Sequence, residues 1–477
     1  MDHSFVFKYI YVLTIFIGSA NIVIPFITPS NSLKQLVPML LVATFYIASI
    51  VILGIFYIQV GETSFVLLDL GRLKLKFHLE PIGLIFLSLL GLLWYISIIY
   101  SYGYFKYLEY SQRVAQSLIS ACIVMSSLIS MSGNILTTFI FYEILTICTA
   151  PLIYNKCYRS LEKYLRPLLY PSLLLFLPSA IYITFAENIS QNEAIILSVL
   201  CIFGVSKAAI VPFHTWLPAA MVAMHPVSAL LHAVAIVNTG VFVICKLFFY
   251  EIKPDISINT WLLFIPTVTI LYGGIKAINS TSIKQLLAYS TINQLSICLL
   301  GVFLLSKEGV KATIICILAH SLAKISLFFI AGNIYLFQKT SELKDLRGLI
   351  YLMPGSVILF ILASLSLIGT PFVAGGIGKD ALISAAHSAN NIPAVVMIVI
   401  GSIMTGIYLS KVVYIFCNKT ELSTESTKWW IRLRFTIKEE LQSARYMLLF
   451  LPIIICNLMA YGFHLVVGPL WKLMSFL

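Results

Sequence analysis

Residues Gly204 to Lys246 read GVSKAAIVPFHTWLPAAMVAMHPVSALLHAVAIVNTGVFVICK. The stretch places Lys207 in an apolar helix and breaks that helix at Pro212, which has no N–H to donate. It then crosses through His214-Thr215-Trp216-Leu217-Pro218 and starts a second apolar helix carrying His232. Ionisable groups in hydrocarbon beside a broken helix predict a path for ions or protons.

The rest of the chain supports that setting. Of 477 residues, 60% are hydrophobic and only 10% charged, with a mean hydropathy of +0.97. Soluble domains carry about 25% charged residues, so this is an integral membrane protein. The net charge of +12 does not point to nucleic acid, because the Lys and Arg residues sit in short loops between apolar runs. Nine cysteines lie mostly within apolar runs, with no C-x-x-C pair, and read as packing rather than disulfides or metal ligands. The first apolar run, Ile10 to Ile27, reads as a retained helix rather than a cleaved signal.

Runs long enough to span a bilayer recur with little between them, and predict an all-α polytopic protein of about fourteen transmembrane helices. One connection differs. Ser64–Leu68, a Gly71 turn and the alternating stretch Arg72–Glu80 predict a small amphipathic β-hairpin, 64–80, outside the bilayer. Basic loops set the orientation: Lys156, Arg159, Lys163 and Arg166; then Lys339, Lys344 and Arg347; then Lys419, Lys428, Arg432, Arg434, Lys438 and Arg445. All fall on one side, which the positive-inside rule makes cytoplasmic, so both termini and the hairpin face outward. Segment 419–445 is expected to form an amphipathic helix at the inner interface. A second break, at Gly369-Thr370-Pro371-Phe372 with Gly375-Gly376-Ile377-Gly378 as hinge, lies five helices after the first. That spacing suggests inverted repeats and four regions: 1–110 with the hairpin, five-helix units 111–250 and 256–416, and 417–477.

A charged side chain at a helix centre costs roughly 2.5–3.5 kcal/mol on insertion scales. Glu143, in FIFYEILTIC, reads either as a capping carboxylate or as the partner of Lys207. Lys207 reads either as a snorkelling lysine or as half of a Glu–Lys gate that a moving proton opens. His232 is either a satisfied hydrogen-bonder or a relay titrating near neutrality. His320 and Lys324 are four apart and share one helical face, which favours a relay. Lys379 and Asp380 follow the second break and point to different faces; Lys284 serves equally as a surface anchor, as do Lys246 and Lys411. No phosphate loop, dinucleotide fingerprint, H-E-x-x-H pair, nucleophile elbow, haem ligand pair or iron–sulfur spacing is present in the sequence. No catalytic site, cofactor or metal is therefore expected, nor any nucleic-acid partner.

At these residues the chain resembles the antiporter-like membrane subunits shared by respiratory complex I and Mrp-type multisubunit cation/proton antiporters. The matching segments are FIFYEIL, SKAAIVPFHTWLPAAM, PVSALLHAVAIV, SIKQLLAYSTINQLS, LAHSLAKISLFFIAGN, KDLRGLIYLMPG and GTPFVAGGIGKDALI, in the family's order over about 130–385. The resemblance implies a fourteen-helix fold with two inverted five-helix repeats, broken seventh and twelfth helices, an outward hairpin and a polar axis along the midplane. It assigns Glu143, Lys207, His232, Lys324 and Lys379 to the family's relay positions, to which we add His320, with Lys284 and Asp380 as further candidates. Ala219 stands where many members have aspartate, Tyr142 where tryptophan is common, and Asn238 where lysine is frequent, which shifts the eighth-helix role to His232. The expected function is that of a proton-translocating, D-type component of a Mrp antiporter in the inner membrane. It would work with partner subunits, any sodium site lying elsewhere, and in contact with membrane lipids. The alternatives are a pumping subunit of complex I or a related hydrogenase and, in a different class, a non-pumping scaffold.

Overall fold

The computed structural model describes residues 3–30, 32–109, 112–154, 158–186, 188–254, 259–418 and 444–474. Lys156, Cys157 and nearly all of the expected inner helix at 419–445 lie outside them.

Apolar runs become helices because only a helix satisfies its own backbone in hydrocarbon. The first are α1 (His3–Ile27), α2 (Leu33–Val60), α3 (Pro81–Tyr107), α4 (Arg113–Ser130), α5 (Ile135–Ile153) and α6 (Tyr158–Phe185). The broken segment begins with α7 (Gln191–Gly204), and α8 (His225–Ile252) follows it. Next come α9 (Asn259–Ile278), α10 (Ile283–Phe303), α11 (Lys307–Gln338) and the pair α12 (Pro354–Ile368) and α13 (Ala374–Ser388). The last are α14 (Ile392–Cys417), α15 (Ala444–Tyr461) and α16 (His464–Leu473). Ten of these are long and apolar enough to span, and the bent pair Met447–Tyr461 with His464–Leu473 makes up to eleven. The shorter apolar helices Gln191–Gly204, Leu262–Ile278 and Pro354–Ile368 occupy the remaining expected places.

Burial sorts the helices into a ring and a centre. The spanning windows of α8 and α11 are 100% buried and that of α10 is 94%, whereas α1 is 28% and α6 33% buried. Outward-facing Phe16, Ile27, Ile58 and Leu174 suit acyl chains, while the central helices α8 and α11 carry buried His225, His232, Lys246, His320 and Lys324.

The hairpin pairs β1 (Thr63–Leu70) with antiparallel β2 (Leu73–Leu79), Thr63 opposite Leu79 and Leu70 opposite Leu73, with a bulge between Val66 and Leu68. Alternation puts Phe65 and Phe77 on one face, stacked at 5.4 Å and covered by Phe7 and Tyr11. Strand β2 is fixed to the α4–α5 turn: His78 N donates to Met131 O at 2.8 Å and Gly133 N to Lys76 O at 2.7 Å. The hairpin is thus clamped to the helix ends.

Three boundaries differ from expectation. Helix α7 ends at Gly204, eight residues before Pro212, because the 206–208 turn finds better partners elsewhere. The cluster Gly375–Gly378 is not a hinge but the first turn of α13, packed so closely that a Cβ on Gly376 would strike the Thr370 carbonyl. The second break is confined to Gly369–Val373, and Gly369, at φ +96°, ends α12 in the left-handed conformation that glycine adopts without strain. The span expected at 381–410 is therefore two elements, the end of α13 and then α14.

Candidate functional site

Lys207 sits on the first break itself, in a 3₁₀ turn, Ser206–Ala208, and is fully buried. A broken helix frees backbone groups that hydrocarbon cannot satisfy, so side chains must do so. Lys207 N donates to the Tyr142 hydroxyl at 3.0 Å, and Trp216 Nε1 donates to Ser206 O at 2.9 Å. The turn comes this close to α8 only because Gly240 has no Cβ; a methyl there would collide with the Lys207–Ala208 backbone.

The Lys207 ammonium donates to Tyr142 O at 2.8 Å and to Thr146 Oγ1 at 2.5 Å, and lies 3.2 Å from the Tyr142 ring centroid. Glu143, on the same helix as those two holders, is within electrostatic reach, yet among the described residues no ion pair within 4.0 Å joins it to Lys207. Buried Glu143 Oε1 has no hydrogen-bond partner. The structure therefore shows a lysine held by neutral dipoles and a carboxylate standing free of it. Such a lysine can give up its proton without stranding a paired anion.

His232 is fully buried in a π-turn, Leu231–Ala235, and its ring stacks on Phe328 at 5.0 Å. The π-turn frees the Ala233 carbonyl, which Asn238 Nδ2 takes at 2.6 Å while also donating to Ser321 Oγ at 2.7 Å. Asn238 thus shapes the turn that carries the histidine. Neither ring nitrogen of buried His232 has a hydrogen-bond partner, and buried His320 meets no polar side chain, only the His232 backbone. Poorly satisfied buried imidazoles are costly, and these two lie within electrostatic reach of each other and of Lys324.

Lys324 donates to Leu287 O at 3.0 Å and also to Ser290 Oγ. Lys379, one turn into α13, reaches back to Leu367 O at 3.0 Å and Ile368 O at 2.8 Å. Pro371 cannot supply the N–H that a continuous helix would give Leu367 O, so the ammonium caps the half-helix, where the dipole favours a cation. Lys284 caps Met221 O at 2.8 Å and Ala223 O at 2.6 Å, and lines a cavity of about 570 Å³ with Arg159 and Lys163. Asp380 is exposed on the other face of α13 and does not join the axis.

The structure thus brings Glu143 near Lys207, and His232 near His320 and Lys324. Sequence reasoning missed Tyr142, Thr146 and Ser290 as lysine holders, since ordinary polar residues carry no spacing signal. It also missed Glu80, which it placed in the exterior hairpin. Glu80 is fully buried and ion-paired with Lys246, which is therefore no surface anchor.

A family profile described as "NADH:quinone oxidoreductase/Mrp antiporter, TM" matches residues 132–405. The chain is 36% identical over 245 residues to NADH-ubiquinone oxidoreductase chain 5 of Wickerhamomyces canadensis, a match covering 50% of this chain and 37% of that protein. It is 27% identical over 456 residues to the chloroplastic NAD(P)H-quinone oxidoreductase subunit 5 of Chara vulgaris, covering 85% and 67%. The match thus spans between a third and two-fifths of the fungal relative's length. A solved chain in the Mrp complex from Dietzia sp. DQ12-45-1b superposes with a TM-score of 0.82 at 17% identity, covering 99% of this chain and 96% of that one. That likeness shows the fold.

Proposed function

The chain belongs to the NADH:quinone oxidoreductase/Mrp antiporter transmembrane family, and from that premise we propose that it moves protons as one subunit of a multisubunit membrane complex. The observation that carries the reading is the series of buried lysines, Lys207, Lys324 and Lys379, each held by carbonyls or hydroxyls rather than by a carboxylate. Neutral holders let each side chain accept and release a proton without an ion pair having to separate. His232 and His320, within electrostatic reach of Lys324, serve as the titrating links.

In this reading Glu143 gates Lys207. With the pair apart, Lys207 passes its proton inward along the axis; with the pair closed, the carboxylate keeps it charged. Lys284 and its cavity give water access from the side bearing Arg159 and Lys163, which the positive-inside rule makes the cytoplasm of an inner membrane. The two five-helix units, 111–250 and 256–416, supply one break each. Asp380, facing away, serves a neighbouring subunit or the surface.

The parent assembly is a Mrp-type antiporter in which this chain is the D-like component. A second reading, a chain-5-like component of a quinone oxidoreductase, is favoured by the 36% identity to the fungal chain. Copurification separates them: small antiporter subunits support the first, flavin and quinone modules the second. The reading itself is tested in everted vesicles holding the whole complex, with a pH-sensitive dye. Lys207→Ala is expected to abolish proton transport while the complex assembles normally. Undiminished transport in that variant sinks the relay.

A further inference from the structure

A buried ion pair lies apart from the buried lysines and histidines described above. Lys246, near the end of α8, meets Glu80, the residue that immediately precedes α3. The Glu80 side chain is 0% exposed and that of Lys246 7%. From Glu80 the contacts continue outward. His78 Nδ1 is 3.6 Å from Glu80 Oε2, and His78 Nε2 is 3.6 Å from Glu62 Oε2. Side-chain exposure rises along this line, from 0% at Glu80 through 24% at His78 to 42% at Glu62. The four groups alternate base and acid and lead from the protein interior to the hairpin surface.

The line also connects inward. Ser130 O accepts from Lys246 Nζ at 3.2 Å, and Ser126, one turn earlier on α4, donates to Ala235 O at 3.0 Å. Ala235 closes the π-turn that carries His232. The α4 face holding Ser126 and Ser130 therefore runs beside α8 from the histidine turn to Lys246. Besides its ion contacts the Glu80 carboxylate meets the Tyr250 hydroxyl, and its two oxygens still offer lone pairs to take a proton. The hairpin's backbone clamp on the α4–α5 turn holds His78 in place, because His78 N is itself one of the clamping donors.

We propose that Lys246, Glu80, His78 and Glu62 form the proton connection between the buried axis and the hairpin face. A proton on Lys246 moves to the Glu80 carboxylate and leaves a neutral amine and a neutral acid. Glu80 then protonates His78 Nδ1, and the imidazolium releases its Nε2 proton to Glu62 or to water. Lys246 is recharged from the axis side, so the pair returns to its starting charges. Tyr250, whose ring lies edge-on to His78 at 6.4 Å, and Glu251 beside Lys246 flank the route. This inference rests on the reading of the chain as a proton-moving subunit.

The test uses the whole complex in everted vesicles with a pH-sensitive dye and three variants side by side. In the double variant Glu80→Gln/Lys246→Met, both charges are removed together, which a purely structural pair tolerates. The transport rate is expected to fall roughly tenfold or more with normal assembly; a wild-type rate overturns the proposal. If the double variant fails to assemble, His78→Gln decides, since a partly exposed glutamine keeps hydrogen bonds but carries no proton. Its rate is expected to fall about threefold at an unchanged melting temperature, and an unaltered rate overturns the route. Lys207→Ala is the control. Normal transport there removes the proposed function, whereas background transport there beside wild-type rates in the other variants removes only the hairpin connection.

Discussion

The two broken spans solve one problem in different ways. In the first, Lys207 rides on the broken turn and donates to another helix, to Tyr142 O and Thr146 of α5. In the second, Lys379 stands one turn beyond the break and caps Leu367 and Ile368 of its own span. Tyr142 O also keeps Thr146 Oγ1 as a donor at 3.2 Å, so it is not orphaned when Lys207 withdraws. Leu367 O faces Pro371 four residues on, and has no N–H to fall back upon. The first break therefore keeps its backbone satisfied without the lysine, whose holders lie on the same helix as Glu143. The second depends on its lysine to cap the end of α12.

Several substitutions sharpen or break this contrast. The largest effect is expected from paired methionine variants. Lys207→Met should abolish vesicle proton transport while the melting temperature in detergent stays close to wild type, because Tyr142 O keeps Thr146 Oγ1 as a donor and no buried carbonyl is orphaned. Lys379→Met should lose transport and also cost about 1–3 kcal/mol of stability, the penalty of orphaned buried carbonyls. Equal stabilities in the two variants would erase the distinction. Gly240→Val comes next: its side chain would strike the Lys207–Ala208 backbone, and an overpacked site costs about 1–3 kcal/mol. Thermal unfolding in detergent measures it, and the drop should have no counterpart in Gly406→Val, where open space surrounds the position.

Smaller effects follow from the neutral holders. Thr146→Val removes a hydroxyl that accepts from the Lys207 ammonium while preserving shape. A lost hydrogen bond to a charged group is worth about 1.5–3 kcal/mol, so transport should change roughly tenfold or more, read as initial rate in vesicles. The smallest is Trp216→Phe, which strips one donor from Ser206 O in the first break. A cost of about 1 kcal/mol is expected, visible as a modest fall in melting temperature with transport retained. No stability change there would mean that the broken turn does not depend on that indole.

Much of this architecture was legible in the chain. Uncharged runs of spanning length announced the helices, and alternation from Arg72 to Glu80 announced the hairpin, because each pattern reflects a local period that the backbone must follow. Glu143, Lys207, His232, His320, Lys324 and Lys379 were visible as ionisable residues within apolar surroundings. Less legible were the places where the chain yields to a neighbour. Proline marked the first break too late, since α7 ends where Tyr142 and Trp216 can serve the freed backbone. The glycines after the second break looked like a hinge, but they permit close packing of a helix.

The sequence by itself determined that this protein spans a membrane many times, is interrupted twice, and buries a series of titratable groups at a cost only partners or water could offset. Those are consequences of composition and local period, and they hold whatever the helices pack against. Only the tertiary structure decided who those partners are. Lys207, far in sequence from Thr146, and Lys246, far from Glu80, meet their partners through helix packing. A hydrogen bond acts over about 3 Å, and no local pattern in the chain encodes which distant residue comes that near.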